Sequence, residues 1–205
     1  MSLGSVENSS PARPDAESPQ SGRLVVLTGP SGVGKGTLVR HLRDRHSELQ
    51  LSISATTRAP RDGEVDGRDY HFLDRDDFES KIAAGDLLEW AEFAGNYYGT
   101  PKQALDEQLD RGASVILEIE LEGARQVRGR FDRAMSVFVL PPSFEELEHR
   151  LRSRARDTDE AIAKRLARAR EEVDAASEFD CAIVNDDLET ALAHLEHNLS
   201  LFGAI

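Results

Sequence analysis

The sequence has few of the features that mark membrane-bound, exported or disulfide-rich proteins. Its 205 residues include one cysteine, Cys181, so no intrachain disulfide can form, and the apolar stretch around it predicts a buried structural thiol. No apolar run approaches the ~20 residues that span a bilayer, and the N-terminus lacks the basic and then apolar pattern of an export signal. We therefore expect a cytoplasmic protein that does not bind membranes.

Positive charge is also scarce. The chain has 25 Lys and Arg residues against 38 Asp and Glu residues, which gives a net charge of −13. Because nucleic-acid binding normally requires a basic face, this charge argues against nucleic acid as a partner, and repulsion between protomers favours a monomer. Residues 150–170 reverse the average, with eight basic residues against three acidic ones. This segment indicates either an anion site or a solvated helix face.

The order of apolar patterns predicts an α/β protein. Residues 1–22 are half Ser, Pro and Gly, which is typical of a disordered tail. From residue 23 onward, apolar runs alternate with helical patterns, so we expect a mostly parallel sheet covered by helices on both faces, a three-layer α/β/α fold. The stretch 54–100 departs from this alternation and predicts a small β-rich insert. The predicted strands are 24–28, 51–55, 70–73, 87–93, 114–120, 134–140 and 181–184. The predicted helices are 35–45, about 75–85, 101–111, 122–130 and about 187–202. Two more helices are predicted, one that starts after Ser143 and one that follows the basic segment.

The most informative stretch is 29–37, directly after the apolar run 24–27. Its glycine and lysine spacing is that of the phosphate-binding loop of P-loop proteins, whose backbone amides bind a nucleotide's terminal phosphates. The lysine can follow the γ-phosphoryl group, and a hydroxyl just after it usually holds Mg²⁺. Here that next residue is Gly36, so Thr37 is the candidate for a direct or water-mediated metal contact. The predicted triphosphate site comprises Gly29, Pro30, Ser31, Gly32, Val33, Gly34, Lys35, Gly36 and Thr37.

A second group of residues offers anion and base contacts. Arg58 and Arg61 lie three apart in a polar loop, and guanidinium groups can hold phosphate oxygens bidentately. A solvated basic turn is the alternative. Glu89 adds a carboxylate on an apolar strand, and Tyr97 and Tyr98 add phenols beside a turn. Taken singly, Glu89 could be a surface carboxylate on an edge strand, and the tyrosines could be half-buried packing residues.

At these residues the chain resembles guanylate kinases, over about 23–195. The matching segments, in the same order, are 29–37, 54–70, 88–91, 96–99 and 183–187. The resemblance implies transfer of the γ-phosphoryl group of ATP to GMP with Mg²⁺. It also implies a core of 23–53 and 101–205, a GMP-binding insert at about 54–100 and a helical lid at about 150–165.

The resemblance also assigns roles to individual residues. Guanine has two adjacent donors, N1–H and the exocyclic amine, that match a carboxylate such as Glu89, whereas adenine lacks that pair. The GMP phosphate is assigned to Arg58, Arg61, Tyr70 and Tyr98, and the remaining GMP contacts to Ser54, Glu89, Gly99, Thr100 and Glu120. Asn185 is assigned to ATP binding, and the catalytic residues are Lys35, Arg58, Arg150, Arg154 and Arg165.

Two segments depart from the family pattern. Where Asp-Ile-Asp is usual, this chain has Glu118, Ile119 and Glu120, each carboxylate one methylene longer, so the reach of Glu118 toward Mg²⁺ changes. In the predicted lid, residues 153–156 keep an arginine but lose two glycines, which lowers backbone freedom there.

Two other functions fit parts of the pattern. The chain could be a non-catalytic domain that binds a phosphorylated protein through the insert, although the intact glycine loop and Lys35 argue against this. It could also be a kinase for another small phosphorylated acceptor, which Ser54 and Glu89 disfavour.

Overall fold

The computed structural model describes residues 22–131, 134–153 and 158–205 and shows an α/β fold of two sheets. The strands and helices follow one another along the chain as β1 (Arg23–Thr28), α1 (Lys35–Arg45), β2 (Gln50–Leu51), β3 (Ala55–Thr56), β4 (His71–Phe72), α2 (Arg75–Ala84), β5 (Leu87–Phe93), β6 (Asn96–Pro101), α3 (Lys102–Asp110), β7 (Ser114–Glu118), α4 (Leu121–Arg128), β8 (Met135–Leu140), α5 (Phe144–Ser153), α6 (Asp159–Asp174), β9 (Cys181–Val184) and α7 (Leu188–Phe202).

The larger sheet has the strand order β2-β7-β1-β8-β9, and all its strand pairs are parallel. Successive side chains of a strand point to opposite faces, and the whole run Leu24 to Leu27 in β1 is buried. Val25 and Leu27 pack with residues of α1 and α7, whereas Leu24 and Val26 pack with residues of α3 and α4. Helices therefore cover both faces, which confirms the predicted three-layer α/β/α fold.

The second sheet, called the small sheet below, has the order β4-β3-β6-β5 and contains both parallel and antiparallel pairs. It confirms the β-rich departure expected around 54–100. The predicted strand 51–55 is wrong as one element, because Gln50–Leu51 pairs with β7 and Ala55–Thr56 pairs with β6 and β4. The strand β6 was not predicted, since its residues Asn96–Pro101 have the turn-like composition of a loop.

Helix ends follow the expected capping chemistry. The Asp74 carboxylate accepts a hydrogen bond from the Asp77 amide (2.7 Å), and Gly85 ends α2 with a φ of 74°. The predicted strand 114–120 is shorter, because β7 ends at Glu118 and α4 begins at Leu121. This change places Ile119 and Glu120 in a connection at the carboxyl end of the sheet, where ligands of α/β proteins bind.

Three further observations concern the ends and the exterior of the described chain. The Gly22 amide donates to the Leu109 carbonyl at 3.0 Å, so residue 22 already contacts α3. Cys181 is partly buried, and burial raises the pKa of its thiol to about 11. No helix in the part of the chain that the structure describes is long and apolar enough to cross a membrane.

Candidate active site

The turn between β1 and α1 adopts backbone conformations that favour glycine. Gly34, the residue before α1, has a φ of 104°, and a Cβ there would lie 2.5 Å from Nδ2 of Asn185. Gly29 has a φ of 142°, and its Cβ would lie 2.3 Å from the Val139 carbonyl oxygen. The loop can therefore follow this path only with glycine at both positions. It delivers the N-terminus of α1, with its free amides and positive dipole end, to the carboxyl edge of the sheet.

Three side chains form hydrogen bonds with the backbone of this loop or of the residues next to it. Asn185 is 7 % exposed and donates through Nδ2 to the Val33 carbonyl at 2.8 Å. Arg150 donates through Nη1 to the carbonyl of Asn185 at 2.9 Å and to that of Val33 at 3.3 Å. The Lys35 ammonium donates to the Gly29 carbonyl at 2.6 Å and to that of Pro30 at 3.3 Å. Lys35 therefore holds the loop from its own sequence, and Asn185 and Arg150 brace it through the Val33 carbonyl.

A cleft of about 490 Å³ opens over this loop and extends to the small sheet. A smaller pocket of about 60 Å³ adjoins it and shares Lys35, Tyr70, Tyr98, Glu118 and Glu120 with the cleft. The two spaces therefore join the glycine loop to the strands β5 and β6. The cleft is lined by Ser31, Gly32, Gly34, Lys35, Gly36, Thr37, Arg40, Arg58, Arg61, Glu64, Tyr70, Phe93, Tyr98, Glu118, Glu120 and Arg165, and the smaller pocket also by Ser54, Glu89, Ala91, Gly99 and Ile119.

Arg58 is held in a fixed position on the wall of the cleft. Its Nη2 lies 2.9 Å from Oε1 of Glu64, and its guanidinium lies 5.4 Å from the centre of the Tyr70 ring. The other Glu64 oxygen accepts the Arg61 amide at 2.7 Å. The Glu64 carboxylate raises the pKa of Arg58, and Arg58 lowers the pKa of Glu64. Both groups are therefore charged at neutral pH, and Arg58 offers a preorganised anion contact.

Tyr70 and Tyr98 form the floor between Arg58 and the smaller pocket. Their ring centres lie 6.1 Å apart in an edge-to-face arrangement. Burial is the main cause that raises the pKa of Tyr70 to about 12, with Glu118 adding to it. The Tyr70 phenol is therefore neutral at physiological pH and can donate a hydrogen bond to an anion.

Glu89 is a buried carboxylate, 2 % exposed, although β5 is an edge strand. Its Oε1 accepts a hydrogen bond from Oγ1 of Thr100 at 2.6 Å. Burial raises the pKa of Glu89 to about 7, while the hydrogen bonds from Thr100 lower it. A carboxylate in this setting presents strong acceptor capacity to the smaller pocket, which rules out the alternative of a solvated surface residue. Because a buried charge is costly unless partners satisfy it, the position favours a donor-rich ligand.

This pKa predicts that binding of a ligand with two adjacent donors, such as guanine, weakens as pH falls. The ionised carboxylate is the form that accepts from these donors, so affinity is complete above the pKa and is lost below it. Between about pH 8 and about pH 6, the affinity for GMP should fall roughly tenfold through Glu89 alone. Isothermal titration with GMP across this range measures the effect.

The variant Thr100→Val provides the control for the pH dependence. It removes the hydroxyl that lowers the pKa of Glu89, so the midpoint should move to higher pH. The second ionisation of the GMP phosphate, with a pKa of about 6, is common to both proteins. Equal midpoints in the two proteins would contradict the role of Glu89.

Gly123 on α4 positions the same carboxylate. A Cβ at Gly123 would lie 2.0 Å from Oε2 of Glu89 and 2.8 Å from its Cδ. The variant Gly123→Ala must therefore displace the Glu89 carboxylate, and we expect about a tenfold loss in kcat/KM for GMP. Steady-state kinetics measure this loss.

Gly129 supplies a matched control for that variant. It follows α4, has a negative φ of −72°, and a Cβ there would lie at an ordinary 3.6 Å from the Arg125 and Gln126 carbonyl oxygens. Gly129→Ala should therefore leave the kinetics unchanged. Equal losses in both variants would indicate general damage to α4 rather than displacement of Glu89.

Glu118 lies beside the glycine loop where a metal ion could bind. A Cβ on Gly36 would lie 3.5 Å from each Glu118 carboxylate oxygen, so the longer side chain reaches the first turn of α1. Burial raises the pKa of Glu118 and Lys35 lowers it. Glu118 and Thr37 both line the cleft, and their oxygens are the ligand type that Mg²⁺ prefers. Across the described ranges, no group of three His, Cys, Asp or Glu side chains could hold a metal alone, so phosphates and water would complete the coordination.

The structure brings most of the predicted site residues to one cleft, but not all. Of the described residues predicted for the site, six line neither pocket: Gly29, Pro30, Val33, Thr100, Arg150 and Asn185. Gly29 and Pro30 accept hydrogen bonds from Lys35, and Thr100 donates one to Glu89. Arg150 and Asn185 both donate to the Val33 carbonyl in the loop. Arg165 lines the cleft, whereas Arg154 lies outside the described residues. Arg40, Glu64 and Phe93 also line the cleft and were not predicted. For these three residues, the one signal in the sequence was the position of Glu64, three residues after Arg61.

A glycine loop with a lysine leads into α1, and an anion-binding cluster of Arg58, Arg61, Tyr70 and Tyr98 lies across the same cleft. Together they define a P-loop phosphotransferase that acts on nucleotides. The model of the family described as guanylate kinase matches residues 21–201. The chain belongs to the guanylate kinase family.

Individual relatives agree with this assignment. The chain is 58% identical over 203 residues to a guanylate kinase of Trichormus variabilis, a match that covers 99% of this chain and 100% of that protein. It is 64% identical over 178 residues to a guanylate kinase of Thermosynechococcus vestitus, covering 87% of this chain and 93% of that one. The crystal structure of guanylate kinase from Anaplasma phagocytophilum superposes with a TM-score of 0.74 at 33% identity, covering 89% of this chain and 86% of that chain.

Proposed function

We propose that the cleft transfers the γ-phosphoryl group of ATP to GMP, giving ADP and GDP. As a member of its family, the chain is an ATP:GMP phosphotransferase. The observation that supports the division into two substrate sites is the continuity of the cleft, which runs from the loop around Lys35 to the buried Glu89. The loop suits a triphosphate, and the pocket at Glu89 suits a base with adjacent donors.

The donor half consists of the glycine loop with the basic side chains near it. The amides of 29–37 and the N-terminus of α1 would bind the ATP phosphates, with Lys35 following the transferred group. Arg165 would contact these phosphates from α6, because it lines the cleft. Arg154 would contribute from the predicted lid. Arg150 and Asn185 would act by bracing the loop, as their hydrogen bonds to its backbone indicate.

The acceptor half consists of the anion-binding cluster and a pocket for the base. Arg58, Arg61, Tyr70 and Tyr98 would hold the GMP phosphate, and Arg58 is preorganised by Glu64. Ser54, Glu89, Gly99 and Glu120 would surround guanine, since all four line the smaller pocket. Thr100 would act through its hydrogen bond to Glu89. A site that satisfies guanine's donors leaves its own polar groups unpaired with adenine, which provides the discrimination.

We infer that Mg²⁺ accompanies ATP, with Glu118 and Thr37 as the residues that would hold it directly or through water. The ion would neutralise charge on the transferring phosphoryl group. The proximity of Glu118 to Gly36 supports this placement.

The transfer itself needs no general base on the protein. The acceptor phosphate is largely dianionic near neutral pH, since its second pKa is about 6. The protein's work is therefore alignment and charge stabilisation: Arg58 and Arg61 orient the attacking oxygen, while Lys35 and Arg165 stabilise charge on the group in transit. Closure of the cleft would keep water from accepting the phosphoryl group.

We also propose a division of the chain into a core (23–53 and 101–205), a GMP-binding insert (about 54–100) and a lid (about 150–165), after an N-terminal tail. The small sheet supports the insert boundaries. The net charge of −13 supports a monomer, and we place the protein in the cytoplasm because one cysteine suits a reducing compartment.

The test is an assay of ADP release from ATP with GMP, AMP, UMP or no acceptor. ADP release only with GMP is the expected result. Release with AMP or UMP at a similar rate would make the enzyme a kinase for another acceptor. No release with any acceptor would favour a binding module for phosphorylated proteins.

A further inference from the structure

The helix α6 contacts the small sheet through Arg168. The Arg168 guanidinium lies 4.5 Å from the centre of the Phe93 ring, at the end of β5. Arg165 lies one turn earlier on α6 and lines the cleft, as does Phe93 on the opposite side. The Arg168–Phe93 contact therefore bridges the two sides of the cleft, next to a residue proposed to bind the donor.

The Arg168 side chain is fixed by a carboxylate that the proposed chemistry does not use. Its Nε lies 2.8 Å from Oε1 of Glu172, four residues later on the same helix, and Glu172 is 5 % exposed. Burial raises the pKa of Glu172, while Arg168 lowers it. Leaving a buried carboxylate unpaired is costly, so the ion pair with Glu172 holds the Arg168 guanidinium at the ring of Phe93.

Phe93 is connected to the acceptor residues by a series of ring contacts. Its ring centre lies 6.4 Å from that of Tyr98, and Tyr98 in turn lies 6.1 Å from Tyr70. The guanidinium of Arg58 lies 5.4 Å from the Tyr70 ring. A displacement of Phe93 would therefore change the packing of Tyr98 and Tyr70, which line both pockets.

We propose that Arg168 is a positioning residue that fastens α6 to the small sheet through Phe93 and so holds the acceptor side of the cleft in its binding geometry. Glu172 orients Arg168 for this contact. The inference rests on the proposed ATP:GMP transfer, because it concerns the same cleft. It adds a contact between the donor and acceptor halves in which Arg168 lines neither pocket and acts through packing against Phe93.

A double-mutant cycle between Arg168 and Phe93 tests the contact. Arg168→Ala and Phe93→Leu should each weaken GMP binding by about three- to tenfold, the range expected for a partly exposed cation–π contact. The double variant should be no weaker than either single variant, since both remove the same interaction. Isothermal titration with GMP in the absence of ATP measures this binding.

Two further variants separate positioning from direct substrate contact. Phe93→Tyr retains an aromatic face and should restore the affinity that Phe93→Leu loses. Arg170→Ala is the matched control: it lies on the same helix, and its guanidinium contacts Phe144 of α5 at 5.4 Å rather than the small sheet, so GMP affinity should be unchanged. For Arg168→Ala, the KM for GMP should rise while the KM for ATP stays within about twofold.

Amide hydrogen exchange of the ligand-free protein tests the Arg168–Phe93 contact without measuring activity. Arg168→Ala should speed exchange at residues 93–98, where β5 turns into β6, and Arg170→Ala should not. Additive losses in the cycle, or normal GMP binding and exchange in Arg168→Ala, would overturn the proposal. A wild-type protein without GMP-dependent ADP release would instead overturn the proposed function, while faster exchange in Arg168→Ala would still support the contact.

Discussion

Replacing Lys35 with alanine is expected to lower kcat by about 100- to 1,000-fold, the loss typical of removing one preorganised charge-stabilising group. The ammonium is the basic group of the glycine loop itself, and its hydrogen bonds to the Gly29 and Pro30 carbonyls show that it lies against that loop. Charge on the transferring group would lose the cation that the glycine loop itself supplies. Affinity for GMP, measured by isothermal titration, should stay within about twofold, because the base pocket remains intact.

Lys102→Ala is the control for Lys35→Ala, since Lys102 begins α3 and does not line the cleft. It removes the same charge from the protein while leaving the glycine loop untouched. Single-turnover kinetics with saturating ATP and GMP separate the chemical step from binding. Retained turnover in Lys35→Ala would contradict the assignment of the loop as the donor site.

Replacing Glu89 with glutamine is expected to lower kcat/KM for GMP by about 100-fold, as when a hydrogen bond to a charged group is lost and a buried partner is left unsatisfied. The glutamine oxygen would keep the hydrogen bond from Thr100, which leaves its NH₂ group facing the pocket. The two N–H donors of guanine would then face the glutamine NH₂ group, which is also a donor. Steady-state kinetics with GMP and AMP measure the ratio of the two kcat/KM values, which should fall.

Glu92→Gln provides the comparison on the same strand, because Glu92 is exposed and lies outside both pockets. Its kinetics should match those of the wild type. The Glu89→Gln protein should also lose the part of the pH dependence that the Glu89 carboxyl causes. An unchanged preference for GMP over AMP would show that other residues recognise the base.

Local patterns predicted the elements whose residues decide their own conformation. The glycine loop, the start of α1 at Lys35 and the cap of α2 at Asp74 were predicted because each depends on a few consecutive residues. The continuous apolar runs of β1 and β8 also predicted buried parallel strands correctly. Each of these features follows from backbone preference or from burial of a run of side chains.

Strand partners were less predictable. Residues 51–55 form one β-compatible run, yet Gln50–Leu51 and Ala55–Thr56 belong to different sheets. The strand β6 contains glycine and ends at proline, and it is a strand because β3 and β5 pair with its two edges. Propensity along the chain does not contain this information, since strand pairing depends on neighbours distant in sequence.

The sequence by itself determined the glycine loop, the alternation of strands and helices and, through five ordered motifs, the family to which the chain belongs. Only the tertiary structure decided that Glu89 is buried against Gly123, that Glu64 holds Arg58 and that Arg168 lies over Phe93. The physical reason is that burial, pKa and ring contacts depend on residues that meet only after the chain has folded. A phosphate-binding loop is a local backbone conformation, whereas a base pocket is assembled from several strands and a helix.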